Sequence, residues 1–179
     1  DKIKKEEAMD KGYIQVYTGN GKGKTTAALG ISLRCLCAGG KVFFGQFMKG
    51  QNYSELKARD YFKNFTMEQF GNPTFIKGEP SKEDYEKARR GFERMKEVLT
   101  SGEYDMVVFD EINTTLYFNL LKVEDVLALL KQKPEKTEVI LTGRYAPQEI
   151  IDLADLVTEM KEIKHYYNQG VEARVGIEN

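Results

Sequence analysis

The stretch Thr18-Gly19-Asn20-Gly21-Lys22-Gly23-Lys24-Thr25-Thr26 decides the fold of this chain of 179 residues. It follows a short β-prone run, residues 13–18, and precedes residues 25–38, which have the composition of a helix. A glycine-rich turn between a strand and a helix points backbone N–H groups at an anion, and the helix start adds partial positive charge. Lys24 can neutralise phosphate and the Thr25 hydroxyl can bind Mg²⁺, as in the pattern GxxxxGK[ST]. The stretch therefore predicts a phosphate-binding loop for a nucleoside triphosphate, ATP.

This loop is one residue shorter than the pattern requires. Counting back from Gly23, the first glycine of the pattern falls at Thr18, and the glycine actually present is Gly19. The Lys-Thr pair and the cradle of amides are kept, but we expect a triphosphate to thread differently from the way it lies in an ordinary nucleotide hydrolase. A glycine-rich turn with incidental lysines is the weaker interpretation, because the flanking strand and helix are both present.

Strands and helices alternate along the rest of the chain. Predicted strands cover residues 13–18, 41–48, 65–70, 106–109, 138–142, 156–160 and 171–177. Predicted helices cover residues 25–38, 81–100, 123–131 and 147–153. The apolar run at 106–109 is continuous rather than alternating, as in a strand covered on both faces of a parallel sheet. The order predicts one doubly wound α/β domain over residues 12–179, after a charged arm over residues 1–11 that is either disordered or packed on a partner.

Composition and charge argue against several classes of function. The net charge of -1 supplies no general attraction to nucleic acid or to an anionic membrane. No apolar run reaches the roughly 18 residues needed to cross a bilayer, and the first residues are too charged for a signal peptide. We therefore expect a cytoplasmic protein without nucleic-acid or membrane partners. The only histidine, His165, has no convincing partner for a serine or cysteine triad.

Two carboxylates end the most apolar strand. Asp110 and Glu111 are expected at the carboxyl edge of the sheet, beside the phosphate loop. Oxygen ligands suit Mg²⁺, so Thr25 and Glu111 are the predicted metal ligands, with Mn²⁺ as a possible substitute. Arg144 follows the strand at 138–142 and would reach the same edge, where a guanidinium can hold phosphate in a fork. The alternatives are that Asp110 caps a loop, that Glu111 is solvated and that Arg144 is a surface arginine.

Short motifs are spread along the whole chain. They are TGNGKGKTTAA at 18–28, QFMKG at 46–50, DMVVFDE at 105–111, LTGR at 141–144, LADLV at 153–157, KH at 164–165, GV at 170–171 and GI at 176–177. Together they resemble the ATP:corrinoid adenosyltransferases, also called cob(I)alamin adenosyltransferases, of the phosphate-loop type, over about residues 12–178. The shortened loop is typical of that family. The resemblance implies a single-domain, P-loop NTPase-like (RecA-like) fold with a doubly wound, mostly parallel sheet flanked by helices.

The resemblance also implies a reaction. The 5′-deoxyadenosyl group of ATP would be transferred to the cobalt of a reduced Co(I) corrinoid, with release of triphosphate, in adenosylcobalamin biosynthesis or salvage. Lys24, Thr25 and Glu111, with Mg²⁺, would act on the leaving group. The other nucleotide contacts would be Asn20, Gly21, Lys22, Gly23, Thr26, Arg34 and Arg144. A homodimer whose N-terminal arm covers the partner's site, and a flavoprotein reductant, are implied as well.

The corrinoid side of the site departs from the family pattern. A family feature is an aromatic pair that displaces the lower axial ligand of cobalt, but here Phe75 is followed by the aliphatic Ile76. Phe75 and His165 are the predicted corrinoid contacts. Two other functions stay open. One is an ordinary P-loop ATPase or small-molecule kinase with Glu111 as the base, and the other is a nucleotide- or corrinoid-binding carrier that does no chemistry.

Overall fold

The computed structural model describes residues 9–179, in which strands and helices alternate. The strands are β1 (Ile14–Thr18), β2 (Val42–Phe47), β3 (Phe65–Phe70), β4 (Met106–Asp110), β5 (Glu138–Thr142) and β6 (Leu156–Glu159). The α-helices are α1 (Lys24–Cys37), α2 (Ala58–Tyr61), α3 (Lys82–Ser101), α4 (Ile112–Tyr117), α5 (Val123–Leu130) and α6 (Gln148–Leu153). Short 3-10 turns occur at Ser54–Lys57 and Tyr166–Gln169.

The six strands form one sheet in the order β3-β2-β4-β5-β1-β6, and every pair within the described residues is parallel. This confirms the predicted α/β class. Successive side chains of a strand point to opposite faces of the sheet. Both sets are apolar in the central strands, because helices cover both faces of the sheet. In β4, Val107 packs in the core under α3 and α5, whereas Val108 packs in the core under α1.

Strand register brings the functional residues to one edge. Tyr17 of β1 pairs with Thr142 of β5, and Gln46 of β2 pairs with Asp110 of β4. The carboxyl ends of these four strands therefore meet at the same height, as expected for a parallel sheet. The phosphate loop leaves β1 at this edge and runs directly into α1.

The structure differs from the sequence prediction at a few elements. The predicted strand at 171–177 is wrong, because these residues form turns in which the Arg174 backbone and side chain bond to Glu178. Helices α2 and α4 were not predicted. Of the predicted arm, residues 1–8 lie outside the described residues. Within residues 9–179, no helix combines the length and apolar character needed to span a bilayer.

Candidate functional site

The backbone of the phosphate loop depends on its glycines and on the end of β6. Gly19 and Gly23 adopt φ angles of 97° and 118°, a region that side chains rarely enter. A Cβ atom on Gly19 would also lie 2.4 Å from the carbonyl oxygen of Met160, so the loop and β6 approach closely. The Gly21 N–H donates to that same carbonyl at 2.7 Å. One amide of the loop is thus bonded to the residue that follows β6.

Lys24 is held inside the loop. Its side chain is buried, and Nζ donates to the Gly21 carbonyl oxygen at 2.7 Å. Burial lowers the pKa of Lys24, the Glu111 carboxylate opposes this, and the positive charge of Arg144 acts in the same direction as burial. Arg144, although exposed, is therefore close enough to influence the lysine. The ammonium is placed where it can meet an anion on the loop.

The Asp110 carboxylate links the loop to the neighbouring strands and is fully buried. Its Oδ1 accepts from the Thr25 hydroxyl at 2.9 Å and from the Thr142 hydroxyl at 2.6 Å. Its Oδ2 accepts from Lys49 Nζ at 3.0 Å and from Gln46 Nε2 at 3.2 Å. With four donors around it, this carboxylate is fixed in orientation before any ligand binds.

Lys49 lines the candidate site and was missed by the sequence prediction. Its Nζ bridges Asp110 Oδ2 and the Thr25 hydroxyl oxygen, at 3.0 and 3.1 Å. Burial alone would lower the pKa of Lys49, but the carboxylates of Asp110 and Glu111 outweigh it and raise the pKa. The signal available in the sequence was the lysine of QFMKG, directly beyond a buried strand next to the Asp-Glu strand.

The donors at this position fit a hard divalent cation such as Mg²⁺. The Lys49 ammonium already places positive charge between the Thr25 hydroxyl and the Asp110 carboxylate, so the site accepts a cation there. Across residues 9–179, no group of three or more His, Cys, Asp and Glu side chains comes together. Mg²⁺ does not need such a group of side chains, because it binds through one or two carboxylates together with waters and phosphate oxygens.

Glu111 turns the chain from β4 into α4. Its φ of 62° lies in the left-handed region, and its N–H donates to the Thr142 hydroxyl at 2.9 Å. The carboxylate accepts from the Thr114 hydroxyl at 2.8 Å. Burial raises the pKa of Glu111 and the neighbouring Asp110 charge raises it further, while Lys49 opposes. Strained backbone of this kind is concentrated at functional positions.

A cavity of about 490 Å³ collects most of the predicted site residues. Those lining it are Lys22, Gly23, Lys24, Thr25, Thr26, Glu111 and His165. Leu29, Lys49, residues 53–55 and residues 176–179 form the rest of the lining. A larger groove of about 1050 Å³ lies between α3 and α5 and contains none of the predicted site residues. The smaller cavity is therefore the candidate site.

Five predicted residues do not line this cavity, namely Asn20, Gly21, Arg34, Arg144 and Phe75. Arg34 is exposed on the last turn of α1, about 15 Å along the helix axis from Lys24. Phe75 is 71% exposed beyond β3 and lines a different groove, beside the start of α3. The predicted corrinoid contacts Phe75 and His165 therefore do not share a cavity. Asn20 is exposed at the tip of the loop.

Comparisons with known proteins identify the family of the chain. The family model described as ATP:corrinoid adenosyltransferase BtuR/CobO/CobP matches residues 10–179. The chain is 34% identical to the corrinoid adenosyltransferase of Escherichia coli (strain K12), covering 94% of this chain and 86% of that protein. It is 35% identical to the corrinoid adenosyltransferase of a Sinorhizobium species, covering 99% of this chain and 85% of that protein.

A solved structure agrees on the fold. The flagellar accessory protein FlaH from Methanocaldococcus jannaschii superimposes with a TM-score of 0.58. The match covers 88% of this chain and 74% of FlaH at 14% identity, which bears on the fold alone. On the family match over residues 10–179 and these relatives, the chain belongs to the ATP:corrinoid adenosyltransferase family.

Proposed function

We propose that this chain transfers the 5′-deoxyadenosyl group of ATP to the cobalt of a Co(I) corrinoid and releases triphosphate. The observation that carries the proposal is the family match over residues 10–179, in which the loop, the Asp-Glu pair and Arg144 all fall within one match. The Lys24 ammonium, the Thr25 hydroxyl and the Asp110 carboxylate lie together at the carboxyl edge of the sheet, as a phosphate site requires.

One backbone amide of the short loop is already engaged within the protein. The Gly21 N–H is bonded to Met160 rather than directed into the cradle. A triphosphate on this loop therefore receives no hydrogen bond from the Gly21 amide. It relies more on the Lys24 ammonium and on the N-terminus of α1. Those positive groups suit negative charge that grows on the oxygen nearest C5′.

The bond changes balance without any proton transfer. The electron pair of Co(I) forms the cobalt–C5′ bond, and the C5′–O bond breaks with its pair going to the triphosphate. Cobalt ends formally as Co(III), and the triphosphate leaves as an anion. This is why a site without a serine or cysteine triad is sufficient for the reaction.

The residues of the site then have defined tasks. Lys24 neutralises charge on the departing oxygens, and the pre-positioned network around Asp110 keeps the Thr25 hydroxyl facing the phosphates. Mg²⁺, held by Thr25 with Asp110 or Glu111, would supply further charge neutralisation on the triphosphate. His165, which also lines the cavity, would contact the corrinoid.

Further proposals concern partners and location. A flavoprotein is the proposed electron donor, because Lys, Thr, Glu and His side chains do not supply the electron that makes Co(I). A homodimer is supported by apolar residues that remain exposed after β6, namely Ile163, Tyr167, Val175 and Ile177. We place the enzyme in the cytoplasm.

A product assay tests the proposed function. The protein is incubated with ATP, Mg²⁺ and chemically reduced cobalamin, and both products are identified by mass spectrometry. Equal amounts of adenosylcobalamin and triphosphate are expected, and omission of cobalamin should stop triphosphate release. ADP and phosphate formed without cobalamin would instead indicate an ordinary ATPase, and tight binding without any product would indicate a carrier.

A further inference from the structure

Two tyrosine rings stack on the surface at the carboxyl edge of the sheet. The ring centroids of Tyr117 and Tyr145 lie 4.3 Å apart, with 32° between the ring planes. Tyr117 also meets Phe118 edge-on, at 5.6 Å and 81°. Despite these contacts, Tyr117 and Tyr145 remain 56% and 50% exposed. Aromatic surface left in water forfeits the burial that normally stabilises it, and contiguous exposed apolar surface marks binding sites.

Tyr145 is held in an unfavourable backbone conformation. Its φ of 60° lies in the left-handed region, which is uncommon for a residue with a bulky side chain. Gly143, nearby at φ 128°, shows that glycine is used elsewhere in this same turn. Strain of this kind persists where the surrounding structure over-determines it, and it is concentrated at ligand sites. The ring of Tyr145 is thus presented at a cost that packing alone does not explain.

Helix α4 connects this pair to the catalytic carboxylate. Glu111 is the N-cap of α4 and Tyr117 is its last residue. Thr114 lies between them at helical spacing, and its hydroxyl donates to the Glu111 carboxylate at 2.8 Å. Thr114 is therefore about one turn from Glu111 and about one turn from Tyr117, and α4 joins the tyrosine pair to Glu111.

The turn after β5 connects the pair to the phosphate loop. Tyr145 directly follows Arg144, whose charge influences Lys24. The next residue, Ala146, donates its N–H to the Thr18 hydroxyl at 3.2 Å, and Thr18 immediately precedes the loop. The turn that carries Tyr145 is consequently bonded to the residue before the phosphate loop, although neither ring lines the 490 Å³ cavity.

We propose that Tyr117 and Tyr145 form a stacking platform that holds the flat ring of a substrate while its reaction partner is positioned at the site. The proposal rests on the proposed function, in which each substrate carries a ring system with a broad face. These rings are the adenine of ATP and the macrocycle of the corrinoid. An aromatic face can hold adenine by offset stacking or the corrin by apolar contact, so separate measurements must identify which one is held.

Two variants remove the platform without removing the site. Tyr145→Gly deletes one ring and also suits the positive φ, so the turn is kept. Tyr117→Leu deletes the other ring while retaining an apolar side chain at the end of α4. Tyr61→Ala is the matched control, because Tyr61 is a strongly exposed tyrosine at the end of α2. Thermal unfolding shows whether each variant is folded.

Binding is measured by calorimetry with Mg²⁺ for three probes: inorganic triphosphate, ATP, and cob(II)alamin added to the ATP complex. Triphosphate has no ring, so its affinity should not change in any variant. Both platform variants should weaken one ring-bearing probe by about three- to tenfold, the range of a single aromatic contact. Weaker ATP binding identifies adenine as the ring held, and weaker cob(II)alamin binding identifies the corrin.

Unchanged affinity for both ring-bearing probes would contradict the platform. A loss of triphosphate affinity equal to the loss of ATP affinity would also contradict it, because the substitution would then act on the phosphate loop. The control should bind all probes like the parent protein. Failure of the platform is distinguishable from failure of the proposed function. If the variants form adenosylcobalamin and triphosphate normally and bind all probes as before, only the platform is contradicted. If the platform variants bind ATP more weakly but the parent protein forms no adenosylcobalamin, the platform stands and only the proposed function is contradicted.

Discussion

Lys49 and Asp110 form an ion pair across the ends of two neighbouring strands, with Lys49 Nζ 3.0 Å from Asp110 Oδ2. The side chains are 16% and 0% exposed, so water screens the pair little. The same ammonium meets the Thr25 hydroxyl at 3.1 Å. Lys49 therefore occupies the position between hydroxyl and carboxylate in which a divalent cation would be bound.

The first prediction is that Lys49→Met destabilises the protein by about 3 kcal/mol, because removal of one partner leaves a buried charge unpaired. Mg²⁺ should restore part of this loss, since a divalent cation can replace the ammonium beside Asp110. Urea unfolding with and without Mg²⁺ measures both effects. A larger Mg²⁺ stabilisation in the variant than in the parent protein is expected, and an equal one would contradict a cation site at Asp110.

Lys82→Met provides the matched control for this experiment. Lys82 pairs with Glu86 at 3.8 Å on the exposed face of α3. Exposed pairs of this kind contribute less than about 1 kcal/mol. The control should unfold nearly as the parent protein does, with no added response to Mg²⁺.

The second prediction concerns pH and Glu111. The folded-state pKa of Glu111 is raised above its ordinary value of 4.5, so the folded protein binds this proton more tightly than the unfolded chain. The contribution of Glu111 to stability is therefore most favourable below pH 4.5 and is lost as pH rises through the raised pKa. Glu111→Gln, which stays neutral and can still accept from Thr114, should be more stable than the parent protein at neutral pH.

Urea unfolding of both proteins between about pH 5 and pH 8, without Mg²⁺ or ATP, measures this difference. The stability advantage of Glu111→Gln should widen as pH rises and then level off. An advantage that does not change with pH, or a variant that is less stable at neutral pH, would contradict the raised pKa. The same variant should lose adenosyl transfer, as expected where a functional group is held at a cost to stability.

The third prediction tests the contact between the loop and β6. Gly19→Ala places a Cβ atom 2.4 Å from the Met160 carbonyl oxygen and requires a φ of 97°, so we expect a loss of about 1–3 kcal/mol. Gly30→Ala is the matched control, because Gly30 lies within α1 with nothing within 4 Å of the added atom. Gly30→Ala should raise the free energy of unfolding by about 0.5–1 kcal/mol, because alanine favours the helix more than glycine does. Equal effects at the two positions in urea unfolding would contradict the close approach.

The fourth prediction is that Lys24→Ala lowers the rate of adenosyl transfer at least about tenfold, through loss of charge stabilisation on the leaving triphosphate. Single-turnover measurements at saturating ATP separate this effect from weaker binding. A variant that retains the full rate would show that Lys24 does not act on the leaving group. Lys136→Ala is the control and should keep the full rate, because Lys136 is exposed just before β5, at the opposite edge of the sheet.

The sequence predicted the sheet and the loop because their signals are local. Continuous apolar runs such as Met106–Phe109 require cover on both faces, and the glycine cluster allows few conformations. Helix α4 was missed because the run INTTLY contains β-branched residues that disfavour helices, and its start depends on the left-handed turn at Glu111. Packing against β5 overrides that local preference, since Gly143 lies directly against Thr114.

Lys49 and the tyrosine pair could not be predicted for a different reason. Their roles depend on strand order, which places β2 beside β4 and the end of β5 beside α4. No local pattern encodes that order. Residues 171–177 show that a local pattern can also mislead. Their apolar residues alternate as in a strand, but the described sheet offers no neighbouring strand with which they pair. Spacing within one segment was informative, whereas contacts between segments required the fold.

The central claim is that the phosphates leave together by cleavage of the C5′–O bond. ATP labelled with ¹⁸O at the oxygen between C5′ and the first phosphorus tests this directly. The protein is supplied with this ATP, Mg²⁺ and cob(I)alamin, and mass spectrometry locates the label. The account predicts that the label appears entirely in inorganic triphosphate, with unlabelled adenosyl on cobalt. Label retained in ADP, with unlabelled phosphate as the second product, would contradict it.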